Sequence, residues 1–215
     1  MGLGSITDMF SALEQHVFEK AAITLETFLK VLTDNFEGHD ELRAALLYET
    51  PKYGNDDERA DRHATWVFEA FYDAVNGKRS PRGATYRINM LPTTSHVYFG
   101  KVVGATPDGR LAGEPLSEGI SPFQGMDRKG PTAVLNSALK IDHLKTGGTL
   151  LNQSRQRSSE ASQIVEKAWI SCKGSSCLAI SSKIVLSSTE LTISVTIYPP
   201  RSGSITFLTI SPFVA

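Results

Sequence analysis

The segment from Ser95 to Gln153, SHVYFGKVVGATPDGRLAGEPLSEGISPFQGMDRKGPTAVLNSALKIDHLKTGGTLLNQ, constrains the fold more than any other part of the chain. Its glycines, prolines and charges are ordered too specifically for an ordinary connector. Glycine takes up positive φ freely and proline withholds a backbone donor, so short strands and ordered loops are expected here, around apolar runs such as Val97 to Val103. Pro107-Asp108-Gly109 predicts a tight turn in which glycine supplies φ > 0 and the aspartate bonds its own backbone. Arg110 would then pair with a carboxylate or with loop carbonyls. A phosphate cradle is the competing reading of this loop, but neither G-x-G-x-x-G nor the Walker A spacing is present.

The N-terminal third has helical periodicity. Ser5 with Asp8 three residues on has the form of a capping box, and Phe10, Leu13, Val17 and Phe18 make one stripe. A second helix is predicted from about Leu25 to Phe36, with Phe28, Leu29, Leu32 and Phe36 on its apolar face and Gly38 as its stop. A third covers Leu42 to Leu47. After Pro51 and the Gly54-Asn55 turn, a longer helix is expected from about Asp61 to Val75, with Val67, Phe71 and Val75 on one face and Asn76-Gly77 at its end. Such stripes are more often core than binding site. The acidic run Asp56, Asp57, Glu58 reads as solvated or helix-starting rather than as a metal site.

Composition excludes several function classes. A formal net charge of −1 over 215 residues gives no basic field for nucleic acid or anionic lipid, and no apolar run approaches the ~20 residues of a membrane span. With no signal-peptide pattern at the N-terminus, a cytoplasmic location is expected. The only cysteines, Cys172 and Cys177, have no second pair of Cys or His nearby, so no metal is assigned.

Longer motifs carry a resemblance. GATPDGRLAGEPLSEGISP (Gly104 to Pro122), Gly125-Met126-Asp127 followed by GPTAVLNS (Gly130 to Ser137), GGTLLNQ (Gly147 to Gln153), TPKYGNDDERAD (Thr50 to Asp61) and YRINMLPTTSHVYFGK (Tyr86 to Lys101) together resemble the C-terminal half of glycyl radical enzymes. The branch is the dehydratase-like one labelled pyruvate formate-lyase 2, and the resemblance covers residues 1–153. It implies an α/β fold: part of a ten-stranded barrel made of two parallel five-stranded halves within surrounding helices. It also implies lyase or formate C-acetyltransferase-like radical chemistry on small metabolites, a homodimer, and an activating enzyme that uses S-adenosylmethionine and an iron-sulfur cluster. Asn89, Met90, Ser95, His96 and Asn152 occupy positions that approach substrate in such barrels. For His96 the bland alternative is a histidine hydrogen-bonded beside a loop.

Two elements of that chemistry are missing from the sequence. No Arg-Val-x-Gly-Tyr motif follows Gln153 to carry the radical, and no Cys-x-Glu supplies the thiyl and acid/base pair. Residues 154–215 hold 15 serines and no aspartate, against 7 serines and 10 aspartates in residues 1–153. The expectation is a partial pyruvate formate-lyase-like domain over 1–153 and a frameshifted or otherwise substituted Ser-rich tail over 154–215, with no catalytic residue, no cofactor and no turnover in this chain alone. In the tail, LTISVTIY (Leu191 to Tyr198) and SITFLTIS (Ser204 to Ser211) have the uncharged β-branched pattern of association-prone strands. A nonenzymatic module that pairs through these strands is the second expectation.

Overall fold

In the computed structural model, residues 2–91, 93–156, 179–186 and 190–198 are described, with side chains as far as Leu151. Cys172, Cys177 and the segment Ser204 to Ser211 lie outside them. Two compact units are distinguished. One comprises Met1–Ala74 and Thr93–Ile141; the other comprises Val75–Pro92 and the residues from Asp142 onward.

In the first unit, helix α1 (Leu3–Ala12) passes directly into a π-helical segment, Leu13–Glu19. Ser5 is not its cap, because the helix begins two residues earlier, after Gly2. The Ser5 N–H instead donates to Ser117 Oγ at 2.9 Å, and the Ser117 N–H donates back to Ser5 Oγ at 2.8 Å. A partner 112 residues away thus satisfies a first-turn donor that a local cap would otherwise meet. Of the expected stripe, Leu13 and Val17 pack against the apolar core and Phe10 is half-buried, whereas Phe18 is exposed; Thr7, Asp8, Ser11 and His16 are buried as well.

Helix α2 (Leu25–Thr33) is capped by Thr24, whose Oγ1 accepts from the Thr27 N–H at 3.2 Å. It ends before Phe36 because Asn35 and Phe36 are left-handed (φ 53° and 61°), ahead of Gly38 at φ 71°. Phe36 nevertheless folds back into the apolar core with Ala12, Phe28, Val31 and Leu46. Leu46 comes from α3 (Asp40–Tyr48), so periodicity located this core correctly at Phe28 and Phe36, whereas Leu29 faces out. Helix α4 (Glu58–Val75) starts earlier than predicted and buries Ala60, Asp61, Ala64 and Phe68; Phe71, on the expected inner face, is exposed. Two alanines allow that face to pack closely, and they bring a charge in with them.

The run Val97 to Val103 corrects the sequence reading, being almost wholly helix α5 (Ser95–Val102) rather than strand. Its buried face is His96 and Gly100, one helical turn apart. A Cβ on Gly100 would lie 2.2 Å from the Glu114 carbonyl oxygen, so glycine permits a close backbone approach at this point of the helix. Helix α6 (Pro131–Leu139) follows with proline in its first turn, where a missing N–H costs nothing.

The second unit holds a four-stranded sheet in the order β1-β2-β4-β3, with β1 at Ile88–Met90, β2 at Thr146–Gln156, β3 at Ala179–Leu186 and β4 at Glu190–Tyr198. β1 and β2 are parallel; β4 is antiparallel to both β2 and β3. The predicted β tendency of LTISVTIY is realised as β4. The described residues are thus helix-rich with one small mixed sheet. No helix among them is long and apolar enough to cross a membrane.

Candidate functional site

The positions singled out in the sequence fall into two groups, each within its own unit. Asn89 and Met90 lie on β1, where side chains alternate: Met90 is buried and Asn89 is exposed. Ile88 pairs with Thr146 and Met90 with Thr149, so β2 carries one residue more than β1 over this step. The extra residue falls at Gly147-Gly148. A Cβ on Gly147 would stand 2.3 Å from Asn89 Oδ1, which explains why the Asn89 amide can lie across β2 at that point. Asn152, on the same strand, pairs with Ser194 across to β4. Beneath Gly147 is a buried polar cluster that the sequence reading missed. Thr146 Oγ1 donates to the His143 carbonyl at 2.9 Å, and His143 Nδ1 and Thr149 Oγ1 are 3.2 Å apart. Its one sequence signal was the threonines inside an apolar strand.

Ser95 and His96 open α5 in the other unit. Ser95 Oγ is 2.6 Å from Thr93 Oγ1. His96 Nδ1 is 2.6 Å from the Thr93 carbonyl oxygen, which can only accept, so Nδ1 carries a proton. In the neutral ring Nε2 is then the lone-pair nitrogen, able to accept a proton or a hydrogen bond. The hydrogen-bonded histidine beside a loop is therefore present, and its other nitrogen remains chemically usable. Asn89 contributes one amide donor pair and one acceptor. Each of these groups can hydrogen-bond a polar partner.

Arg110 has the opposite character, at 1 % exposure. Its Nε donates to Thr106 Oγ1 at 3.1 Å, and its two terminal nitrogens donate to the carbonyls of Leu111 (3.0 Å), Glu114 (2.6 Å), Val103 (3.2 Å) and Gly104. Of the two partners anticipated for it, loop carbonyls are the ones found. With its donors so engaged, the guanidinium serves the loop and has none to offer a phosphate. The turn at Pro107-Asp108-Gly109 also forms, closed by the Gly109 N–H on the Thr106 carbonyl (3.0 Å) with Gly109 at φ 92°. Asp108 departs from expectation: its carboxylate accepts from Thr106 Oγ1 rather than from its own backbone.

The same unit also holds a buried charged cluster that periodicity and motifs left almost unmarked. Asp8 Oδ1 accepts from the Tyr53 N–H at 2.8 Å, and Lys52 Nζ donates to the Asp108 carbonyl at 2.9 Å. Asp61 Oδ2 accepts from Ser137 Oγ at 2.9 Å and from Lys140 Nζ at 2.8 Å. Burial pushes the Asp8 carboxyl up to about 7, against the opposing pull of Lys52. Burial likewise raises Asp61 and lowers Lys52. Asp56 and Glu58, read as solvated or helix-starting, do both: Glu58 opens α4, and Lys140 Nζ reaches Asp56 at 3.3 Å and Glu58 at 3.0 Å. Among the described residues no group of three or more His, Cys, Asp or Glu is placed to hold a metal ion.

Comparison with known proteins interprets this geometry. The family model described as pyruvate formate lyase-like matches residues 1–100, and the one described as glycine radical matches residues 116–168. Trans-4-hydroxy-L-proline dehydratase of Clostridioides difficile is 50% identical over 153 residues, 71% of this chain and 19% of that protein. Isethionate sulfite-lyase of Bilophila wadsworthia is 42% identical over 139 residues, 64% of this chain and 16% of that protein. The crystal structure of hydroxyproline dehydratase from C. difficile with its substrate bound superposes with a TM-score of 0.68 at 50% identity, covering 70% of this chain and 19% of that one. The glycerol-bound, B12-independent glycerol dehydratase from Clostridium butyricum gives 0.66 at 38% identity, with the same coverage. The chain spans about a fifth of the length of the curated relatives it matches.

The glycine radical match implies a glycyl radical made by an activating enzyme, and the residues present do not fit that group. Past Gly148 the remaining glycines are Gly174, in Lys-Gly-Ser, and Gly203, in Ser-Gly-Ser, while β2 runs on through Gln156 as a ladder strand. The motifs, the matched family models and the shared backbone nonetheless converge: the chain belongs to the glycyl radical enzyme family.

Proposed function

We propose that this chain corresponds to the C-terminal-half portion of a glycyl radical dehydratase or lyase, and that it does not turn over by itself. The observation that carries this reading is the 50% identity with a hydroxyproline dehydratase across 153 residues, with the backbone matched over the same span. In the intact protein, the group supplied is a backbone radical installed by an activating enzyme with S-adenosylmethionine and an iron-sulfur cluster. That group would supply radical cleavage of C–O, C–C or C–N bonds of small metabolites in intact relatives; a cytoplasmic location and a homodimer are what the reading implies for the protein.

Within that reading, Asn89, Met90, Ser95, His96 and Asn152 are each positions that approach substrate in the ten-stranded barrel of the intact protein. The parallel β1–β2 pair supports this, because it is the kind of ladder such a barrel repeats. Asn89 and the free nitrogen of His96 suit hydroxyl recognition. The absence of Arg-Val-x-Gly-Tyr and Cys-x-Glu from the sequence supports inactivity of the chain alone, with residues 154–215 replacing the radical-bearing segment. A second reading, pairing with a partner through the β-prone tail, is favoured only by the position of β3 at the end of the sheet order, since β4 is already paired on both sides.

Anaerobic treatment of the full chain with a family activating enzyme, reductant and S-adenosylmethionine tests the proposal. No glycyl doublet by electron paramagnetic resonance and no consumption of trans-4-hydroxy-L-proline are expected; turnover would overturn it. Intact-mass and peptide mapping of the natural gene product separates the tail readings. A 215-residue product supports substitution, and a longer one bearing Arg-Val-x-Gly-Tyr rejects it.

A further inference from the structure

We propose that the hairpin of residues 77–87 is a processing site, cut at the Arg82–Gly83 bond by an arginine-selecting endopeptidase, and that the two pieces remain one folded body. Main-chain bonds close the hairpin. The Gly77 N–H donates to the Tyr86 carbonyl at 3.3 Å, the Tyr86 N–H to the Lys78 carbonyl at 2.9 Å and the Ser80 N–H to the Ala84 carbonyl at 2.7 Å, with Arg79 and Thr85 bridged across. The Gly83 N–H on the Ser80 carbonyl (3.0 Å) makes the turn, with Pro81 and Arg82 at its two corners and Gly83 at φ 82°. Ser80 is half-buried; every other residue from Gly77 to Arg87 is exposed.

Cleavage needs the bond drawn out into an extended strand, so its rate follows the population of locally opened chain. Opening residues 77–87 uncovers little apolar area, because they already stand in solvent. Charge selects the enzyme. Lys78, Arg79, Arg82 and Arg87 are the charged residues of the hairpin, and no Asp or Glu occurs from Ala74 to Pro107, so an acidic specificity cleft meets no repulsion from this stretch. Arg79 lies two residues before Pro81, which has no N–H to offer a protease cleft. Arg87 precedes Ile88, which is buried and paired with Thr146 in the sheet. Arg82, at the tip and followed by glycine, has neither obstacle. The step is hydrolysis: water adds across the bond and leaves a carboxylate on Arg82 and an amine on Gly83.

Such a cut releases no domain. The first unit comprises Met1–Ala74 and Thr93–Ile141, so it takes α1 to α4 from one piece and α5 and α6 from the other. The bonds that join the pieces are largely buried. Ser5 and Ser117 bond each other in both directions at 2.9 and 2.8 Å, and Asp61 Oδ2 accepts from Ser137 Oγ at 2.9 Å and from Lys140 Nζ at 2.8 Å. Lys52 Nζ donates to the Asp108 carbonyl at 2.9 Å, and Asn55 Oδ1 accepts from the Arg128 and Lys129 N–H groups at 2.8 and 3.0 Å. None of these groups lies in the hairpin, and hydrolysis there leaves them all in place.

The test is brief digestion of the full chain with an arginine-specific endopeptidase, the peptides mapped by mass and the digest run by gel filtration in native buffer and in denaturant. Of the eight arginines in residues 1–151, Arg82 is expected to be cut first. Its rate should exceed by at least about tenfold that at Arg128, an exposed loop arginine whose scissile N–H, on Lys129, is held by Asn55. A first cut at Arg128 or within a helix overturns the site. The pieces ending at Arg82 and starting at Gly83 are expected to elute together in native buffer and to separate in denaturant; separation in native buffer overturns the single folded body. Arg82→Gln is expected to slow cutting of the hairpin at least about tenfold. Equally fast cutting at Arg79 or Arg87 in that variant rejects Arg82–Gly83 as the bond selected.

Discussion

The first unit contains two cores of different kinds, and their contrast shows where sequence patterns carry information. The apolar core joins Phe28, Val31, Phe36, Leu46 and Ala12. The polar one joins Asp8, Lys52, Tyr53, Asp61 and Asp108, with Arg110 fastening the loop that carries Asp108. The apolar core depends on area removed from water, which is non-directional and tolerates local adjustment. The polar core depends on every buried group finding its partner, so its stability turns on single atoms.

Substitution distinguishes the two. The largest effect is expected at Arg110→Met, which keeps most of the volume but removes the donors serving four carbonyls and one hydroxyl. A loss of at least about 4 kcal/mol in denaturant unfolding is expected. Phe28→Ala, in the apolar core, should cost about 3 kcal/mol through lost transfer energy and a residual cavity. A cost at Arg110 below that at Phe28 would erase the distinction.

Asp8→Asn sharpens the comparison by its sign. The folded carboxyl titrates near 7 against the ordinary 3.8, so the folded state binds that proton more tightly. Its contribution is complete below about pH 4 and is lost as pH rises through 7. Asparagine mimics the protonated form while Oδ1 still accepts from the Tyr53 N–H. The variant should therefore be more stable than the native chain at pH 8, by about 1–3 kcal/mol, and flatter between pH 5 and 8 by urea unfolding. Smallest is Leu29→Ala, on the outward face of α2, expected within about 0.5 kcal/mol.

The sequence revealed the apolar core because Phe28 and Phe36 recur at helical spacing, and periodicity reports burial when the buried side is apolar. It missed the polar part of the buried side of α1, which holds Thr7, Asp8 and Ser11, and misplaced the inner face of α4, which holds Ala60, Asp61 and Ala64. A polar residue buried with a distant partner looks local and solvated in one dimension. Val97 to Val103 failed for a related reason: valines suit strands, but the segment is helical with His96 and Gly100 buried, a tertiary contact outweighing local propensity. The candidate positions on β1, β2 and α5 came from family motifs. Their surroundings, such as the fit of Gly147 beneath Asn89 and the proton on His96 Nδ1, required coordinates.

The compositional break at residue 154 falls inside β2, which continues to Gln156 and pairs with β4 on both sides of that point. Ladder bonds join main-chain groups and do not read the side chains between them. Pairing of this kind asks of an incoming segment chiefly that its main chain be extended. The β2–β4 ladder therefore carries across the compositional break on main-chain bonds alone, indifferent to the change of side chains along it.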